Sequence, residues 1–460
     1  MKPNYSRREF LSLTTGTVAS TAMLSMIGGL KRVLAATADS SGYKALVCVY
    51  LYGGNDGFNW FVPMTAAGYS NYAASRSNVA LAQSAPLALS GTASDGYVYG
   101  IHPGCPELQT LFNAGNAAVL CNVGTLVQPT TPSSAQAGNN LPSQLFSHID
   151  QQTLWQTSIA NSPLRFGWAG RVADYFNRGG YSTQLGMNIN VGAANYWQQG
   201  QQTNPYVLGT GGAPVLNEAG NKSYRSGLRA QTAALLLSQA AADANPLVQE
   251  YAAIEQHASS KVNIVNGALS AAGDLATPFP SYAGDGGLGA QLHEVARVIK
   301  AQSQIGDTRQ IFFVSMNGFD THNGLLATQN TLLRILSQNL NAFWTALGEI
   351  GMRNNVTTFT ASDFGRSLGS NSDGTDHAWG SHHMVLGGAV QGGKYYGKMP
   401  SLVIGGADDF APGRGQIIPT TATDQYAATL ARWFGVAASD LPTVFPNLGN
   451  FSTPYLGFLG

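Results

Sequence analysis

Three of the chain's eight histidines, His377, His382 and His383, fall within seven residues, and Asp363, Asp373 and Asp376 stand close by. Imidazoles and carboxylates at this density suit a borderline or hard divalent cation such as Zn or Mn. A single Asp–His pair would read as a polar turn whose side chains hydrogen-bond backbone, and only the local density argues for a metal. Two further places repeat the chemistry. Asp320 is followed two residues on by His322, and Ser147-His148 opens a segment with Asp150 three residues after the serine. Ser147 could cap that helix. The same position would suit a nucleophile, because a helix amino terminus favours negative charge on oxygen.

Strands are needed to deliver these groups. The β-branched run Val356-Thr357-Thr358-Phe359-Thr360 leads into Ala361-Ser362-Asp363, which places Asp363 at a strand's carboxyl end. The apolar run 44–52 ends in Gly53-Gly54-Asn55-Asp56, and the run 310–316 ends in Asn317-Gly318-Phe319-Asp320. Three strands thus bring Asp56, Asp320 and Asp363 to what should be one edge of a sheet, where open α/β sheets bind ligands. A further buried strand is expected at 117–123 after a short helix at 106–114, a spacing that suggests a parallel crossover. Helices are expected at 226–245, 246–272, 288–302 and 327–352, the last with Leu332, Leu333, Ile335, Leu336, Leu340 and Phe343 on its inner face. A strand is placed at 384–389. The Gly/Gln/Asn-rich stretch 198–221 reads as a surface insertion, and about 175–305 as a helical and loop insertion without chemistry of its own. The fold class is therefore α/β, a mostly parallel central sheet sandwiched by helices.

Composition excludes several functions. Charged residues make up only 10% of the 460-residue chain, against about a quarter in typical domains. The first 38 residues carry five basic groups and one acidic group, so the remainder has a formal charge of −4. A slightly acidic chain gives no electrostatic case for nucleic-acid binding. No GxGxxG opens a helix and no GxxxxGK[ST] occurs, which removes the dinucleotide and P-loop readings. Cys48, Cys105 and Cys121 form no CxxC and lie in apolar surroundings, as buried free thiols would.

The amino terminus reads as an address. Ser6-Arg7-Arg8-Glu9-Phe10-Leu11 is a twin-arginine export pattern, followed by a weakly hydrophobic run and Ala36-Thr37-Ala38. Residues 1–38 are expected to be a cleaved signal peptide handled by the twin-arginine translocase, with 39–460 forming one domain in the periplasm or outside the cell. No later stretch reaches about 18 unbroken apolar residues, so no membrane span is expected after cleavage.

The chain resembles the bacterial DUF1501 family, related to the alkaline phosphatase/sulfatase superfamily. The motifs are LYGGNDGFNWFVP (51–63), IHPG (101–104), FSHIDQQTLW (146–155), GFDTH (318–322), ASDFGR (361–366), GTDHAWGSHH (374–383) and IPTTATDQYAATLARWFGV (418–436). The resemblance implies an alkaline-phosphatase-like core with one or two divalent ions (Zn, Mn or Ca) at strand ends. It implies Asp56, Asp320, His322, Asp363 and His377 as ligands, although Phe364 stands where relatives carry histidine after the aspartate. Ser147, His148 and Arg366 are the catalytic candidates, as nucleophile, proton carrier or ligand, and anion contact. Asn59, His382 and His383 are candidates for substrate contact or for supporting the ligands.

The implied activity is exported, metal-dependent hydrolysis of a phosphate or sulfate ester on a small molecule or polymer. No sulfatase-type Cys-x-Pro-x-Arg is present, which argues against a formylglycine sulfatase. The alternatives are a non-catalytic binding or assembly protein at the cell envelope and a sugar- or peptidoglycan-directed transferase.

Overall fold

The computed structural model describes residues 38–213, 224–282, 287–410 and 413–460. The leader up to residue 37 and part of the 198–221 stretch lie outside the described residues. Among the described residues the main sheet has nine strands: β1 Lys44–Leu51, β2 Ala117–Gly124, β3 Asn188–Asn190, β4 Tyr206–Val207, β5 Arg309–Met316, β6 Val356–Ser362, β7 Ser381–Leu386, β8 Tyr395–Tyr396 and β9 Thr421–Ala422. Their spatial order is β8-β2-β7-β6-β1-β5-β3-β4, with β9 also on β2. All pairings are parallel except those of β7, which runs antiparallel to both β2 and β6. The longer helices are α1 Ala66–Arg76, α2 Pro106–Asn113, α3 His148–Thr157, α4 Trp168–Arg178, α5 Tyr224–Ala241, α6 Pro246–Ala272, α7 Leu288–Lys300, α8 Leu325–Glu349 and α9 Thr423–Phe434.

Alternation along β1 shows why the sheet is covered on both sides. Ala45, Val47, Val49 and Leu51 join one apolar cluster with side chains of α2, α7 and α8. Leu46, Cys48 and Tyr50 join the other with Trp155 of α3, Trp168 and Phe176 of α4, and Tyr426 and Phe434 of α9. All six residues expected on the inner face of α8 are buried. The three cysteines are buried and free. Among the described residues no helix is long and apolar enough to cross a membrane.

Several expectations need correction. β1 and β2 run the same way but are not neighbours, because the later strands β6 and β7 insert between them. The stretch from 198 is not all surface. Gln198 is buried and its amide donates to Ile189 O at 2.9 Å and Ile311 O at 3.0 Å, while β4 extends the sheet. Its polar composition resembles a solvated loop, but here the polar groups satisfy backbone inside. The strand placed at 384–389 starts earlier, at Ser381.

Behind the sheet, Asp424 opens α9 fully buried, and burial pushes its carboxyl up to about 7 despite the nearby Arg171. The native carboxyl therefore holds its proton more tightly than the unfolded chain, where the ordinary value is 3.8. The resulting stability is complete below about pH 4 and is lost as pH rises through about 7. Asp424→Asn should thus gain on the parent protein between pH 4 and 7 and be the more stable of the two at pH 8. Urea unfolding across that range measures the difference; a pH-independent gap would contradict it.

Candidate metal centre

The parallel register sets Leu51 beside Met316 and beside Ser362, so β1, β5 and β6 end level. The chain leaves β1 through Gly53, whose φ of 116° favours glycine and whose missing Cβ leaves room for the Asp320 backbone. Gly54 likewise lets the Phe364 ring approach. These close approaches bring the loops after β5 and β6 together, and α3 adds its first residue, His148.

The resulting cluster centres on Asp320. His148 Nε2 lies 3.5 Å from Asp320 Oδ2, and the Nε2 atoms of His377 and His322 lie 3.2 and 3.1 Å from Oδ1. The Nε2 atoms of His322 and His377 are 2.9 Å apart. His148, Asp320 and His377 each offer one atom within 4.8 Å of the others, as ligands of one ion would. The opposite ring nitrogens are tied down. His377 Nδ1 donates to Phe146 O at 2.7 Å, since a carbonyl can only accept. His148 Nδ1 donates to Asp363 Oδ2 at 2.8 Å. With those protons placed on Nδ1, both Nε2 lone pairs face the Asp320 carboxylate. Lone pairs crowded on an anion repel, and a cation among them removes the repulsion. The donor set fits a divalent ion of borderline character.

Asp363 sits one step behind. It is buried, and its Oδ2 also accepts from Gly53 N at 3.2 Å and Gln152 Nε2 at 2.9 Å, while Oδ1 has no hydrogen-bond partner. Hydrogen bonding to Asp363 raises the pKa of His148 against the effect of desolvation. Burial would raise Asp320, but the Arg366 hydrogen bond and charge hold its pKa below the usual value. Desolvation lowers His377, which keeps its imidazole neutral. Phe364 forms the floor, its ring centroid 4.9 Å from His148 and 4.6 Å from His377.

Other expected site residues are engaged elsewhere. Asp56 pairs with buried Arg76 and accepts Phe58 N at 3.1 Å and Asn59 N at 3.2 Å, so it caps a turn and offers nothing to the cluster. Asn59 is buried between Val79 O, the Tyr72 hydroxyl and Arg76 Nε. His382 and His383 point to opposite faces of β7, both fully buried, and desolvation pushes each down to about 3. His382 lies edge-on to Phe58 and Phe61, and His383 stacks on Tyr426. The partners of both rings are core side chains and not the cluster. Arg366 is also buried: Nη1 donates to Asp320 Oδ1 at 2.7 Å, Nε to Thr375 Oγ1 at 3.2 Å, and Nη2 to Thr375 O. It anchors the aspartate and does not face an incoming anion. Ser147 Oγ donates to Asp150 Oδ2 at 2.6 Å.

The sequence reading missed Gln152 and Phe146, and it noted Asp376 beside the histidines without giving it a role. Gln152 is one helical turn from His148, a spacing that could have flagged it. Phe146 has a φ of 77°, a left-handed value uncommon for non-glycine residues and one that sequence does not announce. Asp376 Oδ1 lies 3.5 Å from His322 Nδ1 and accepts from Asn371 at 2.7 Å.

A family model described as "Protein of unknown function (DUF1501)" matches residues 43–409. The chain belongs to this family. No curated protein matches this DUF1501 chain. Among solved structures it is similar to the PsFucS1 sulfatase from Pseudoalteromonas sp., with 12% identity over 87% of this chain and 69% of that one and a TM-score of 0.34. It is also similar to the lipoteichoic acid synthase LtaP from Listeria monocytogenes, with 9% identity over 88% and 75% and a TM-score of 0.34. Likeness at that level carries nothing about the chemistry of the DUF1501 site.

Replacing Asp363 by Asn should weaken zinc binding about 10- to 100-fold, because His148 loses the carboxylate that orients it. Asp56→Asn should leave zinc affinity unchanged but cost about 3–5 kcal/mol of stability, because Arg76 is left buried without its charge partner. Zinc titration calorimetry and urea unfolding separate the two. Loss of zinc from Asp56→Asn with retention by Asp363→Asn would reverse the assignment.

Proposed function

We propose that this DUF1501 protein is a metal-dependent hydrolase of phosphate or sulfate esters that works outside the cytoplasm. The observation that carries the reading is the convergence of His148 Nε2 and His377 Nε2 on Asp320, with both Nδ1 atoms held from behind. Two imidazole nitrogens and one carboxylate favour zinc or manganese over calcium, which takes six to eight oxygens. A bound divalent ion would draw charge from the ester oxygen as bond breaking begins.

The chain's own residues then have distinct tasks. Asp363 and Phe146 O hold the two imidazoles in the right tautomer. Arg366 holds Asp320. His322, tied toward Asp376, adds a further nitrogen beside Asp320 and is the candidate for an additional ligand. Phe364 and the buried loop backbones exclude water from below. The attacking oxygen gives up its proton and bonds to phosphorus or sulfur as the ester bond breaks, the leaving oxygen takes up a proton, and, where a serine has attacked, water then releases the phosphate or sulfate from it. Ser147 is the candidate protein nucleophile, with Asp150 placed to accept its proton. Export rests on the twin-arginine pattern at Ser6–Leu11 and gives the twin-arginine translocase as a transient partner.

One observation favours the second reading, a non-catalytic envelope protein that keeps a structural metal. Ser147 Oγ is committed to Asp150 and hydrogen-bonds no residue of the cluster.

The mature protein loaded with zinc or manganese should hydrolyse aryl sulfates or aryl phosphates. Chelation and His377→Ala should each abolish turnover while circular dichroism shows an intact fold. Ser147→Ala should lower kcat by about 100-fold or more if the serine attacks, and leave it unchanged if water does. Stoichiometric metal without turnover of any ester would leave the binding reading in its place.

A further inference from the structure

The charges and apolar groups around this centre point to a particular class of ester. Asp320, Asp363 and Asp376 surround the imidazoles, and among the described residues Arg366 is the only lysine or arginine in ion-pair contact with them. The guanidinium is fully buried and committed to Asp320, Thr375 and Gly53 O. Three carboxylates against one guanidinium leave two negative charges, which a divalent ion cancels. A phosphate monoester would then place two negative charges beside the half-exposed Asp320, whose one arginine partner among the described residues, Arg366, is already committed. A singly charged group leaves far less repulsion.

Two exposed apolar side chains stand close in the chain to residues of this centre. Ile149 follows His148 directly and is 73% exposed. Leu326, at the second position of α8 and four residues beyond His322, is 37% exposed. Exposed apolar area beside a polar centre is stabilised when an apolar part of a ligand covers it.

We infer that, if the hydrolase reading above holds, the ester taken here carries one negative charge at its reacting group and an apolar arm that lies over Ile149. Phosphodiesters and sulfate monoesters have that charge, whereas phosphate monoesters do not.

Calorimetry on the zinc-loaded protein at pH 8 tests the inference without turnover, using diphenyl phosphate, phenyl sulfate and phenyl phosphate. Both singly charged probes should bind at least about tenfold tighter than phenyl phosphate. Ile149→Ser should weaken diphenyl phosphate severalfold without changing zinc affinity. The relative affinity of diphenyl phosphate and phenyl sulfate shows which singly charged class is preferred. Tightest binding by phenyl phosphate, no binding by any probe, or indifference to Ile149→Ser overturns the inference. The 4-nitrophenyl counterparts of the three probes separate this from the hydrolase reading. Preferred turnover of the monoester sinks the charge argument and keeps the hydrolase. The predicted binding order with no turnover keeps the ligand class and sinks the hydrolase.

Discussion

The pairing of β1 between β5 and β6 in parallel, level register sets where three loops leave the sheet, and the candidate centre depends on it. A slip of one residue would turn every side chain of a strand to the other face. Asp320 and Asp363 would then leave from different heights, and the Gly53 turn would no longer fit beneath the Asp320 backbone. The buried apolar clusters on both sides of β1 hold this register, since each residue from Ala45 to Leu51 has a place in one or the other. Packing in the core is therefore what aims the polar groups at the edge.

Above that edge the arrangement is layered. Asp320 and the imidazole Nε2 atoms form the centre. Behind them stand Asp363, the Phe146 carbonyl and Arg366, each bonded to a residue in front. The unusual φ of Phe146 lies immediately before α3. Strain at such a position persists only where surroundings over-determine it, and here the His377 bond and the Phe410 ring supply part of that determination. Holding imidazoles and carboxylate in place beforehand reduces the reorganisation that binding an ion would otherwise require.

Much of this was legible in the sequence because strand ends have a clear signature. Apolar runs followed by glycine and aspartate located Asp320 and Asp363, and the loop composition located His377. The same signature misassigned Asp56, because nothing in a strand-end pattern reveals that Arg76, on α1 twenty residues on, claims the carboxylate. His382 and His383 were misread because β7 was placed three residues late. Once the strand begins at Ser381, alternation sends one imidazole to each buried face. Gln152 and Phe146 act through tertiary contacts that composition does not encode, and the buried role of Gln198 is hidden by a polar stretch that resembles a loop.

The antiparallel strand β7 has a consequence for synthesis. β2 is complete by residue 124, yet its sheet neighbours β7, β8 and β9 all come from residues 381–422. A nascent chain emerging from the ribosome therefore carries an eight-residue ribbon, apolar but for Asn122, with no edge to join until more than two hundred further residues have been made. Such long-range closure raises contact order and slows folding. It also means that a truncation before residue 381 strips β2 of its partners, so the sheet closes only once residues 381–422 have been made.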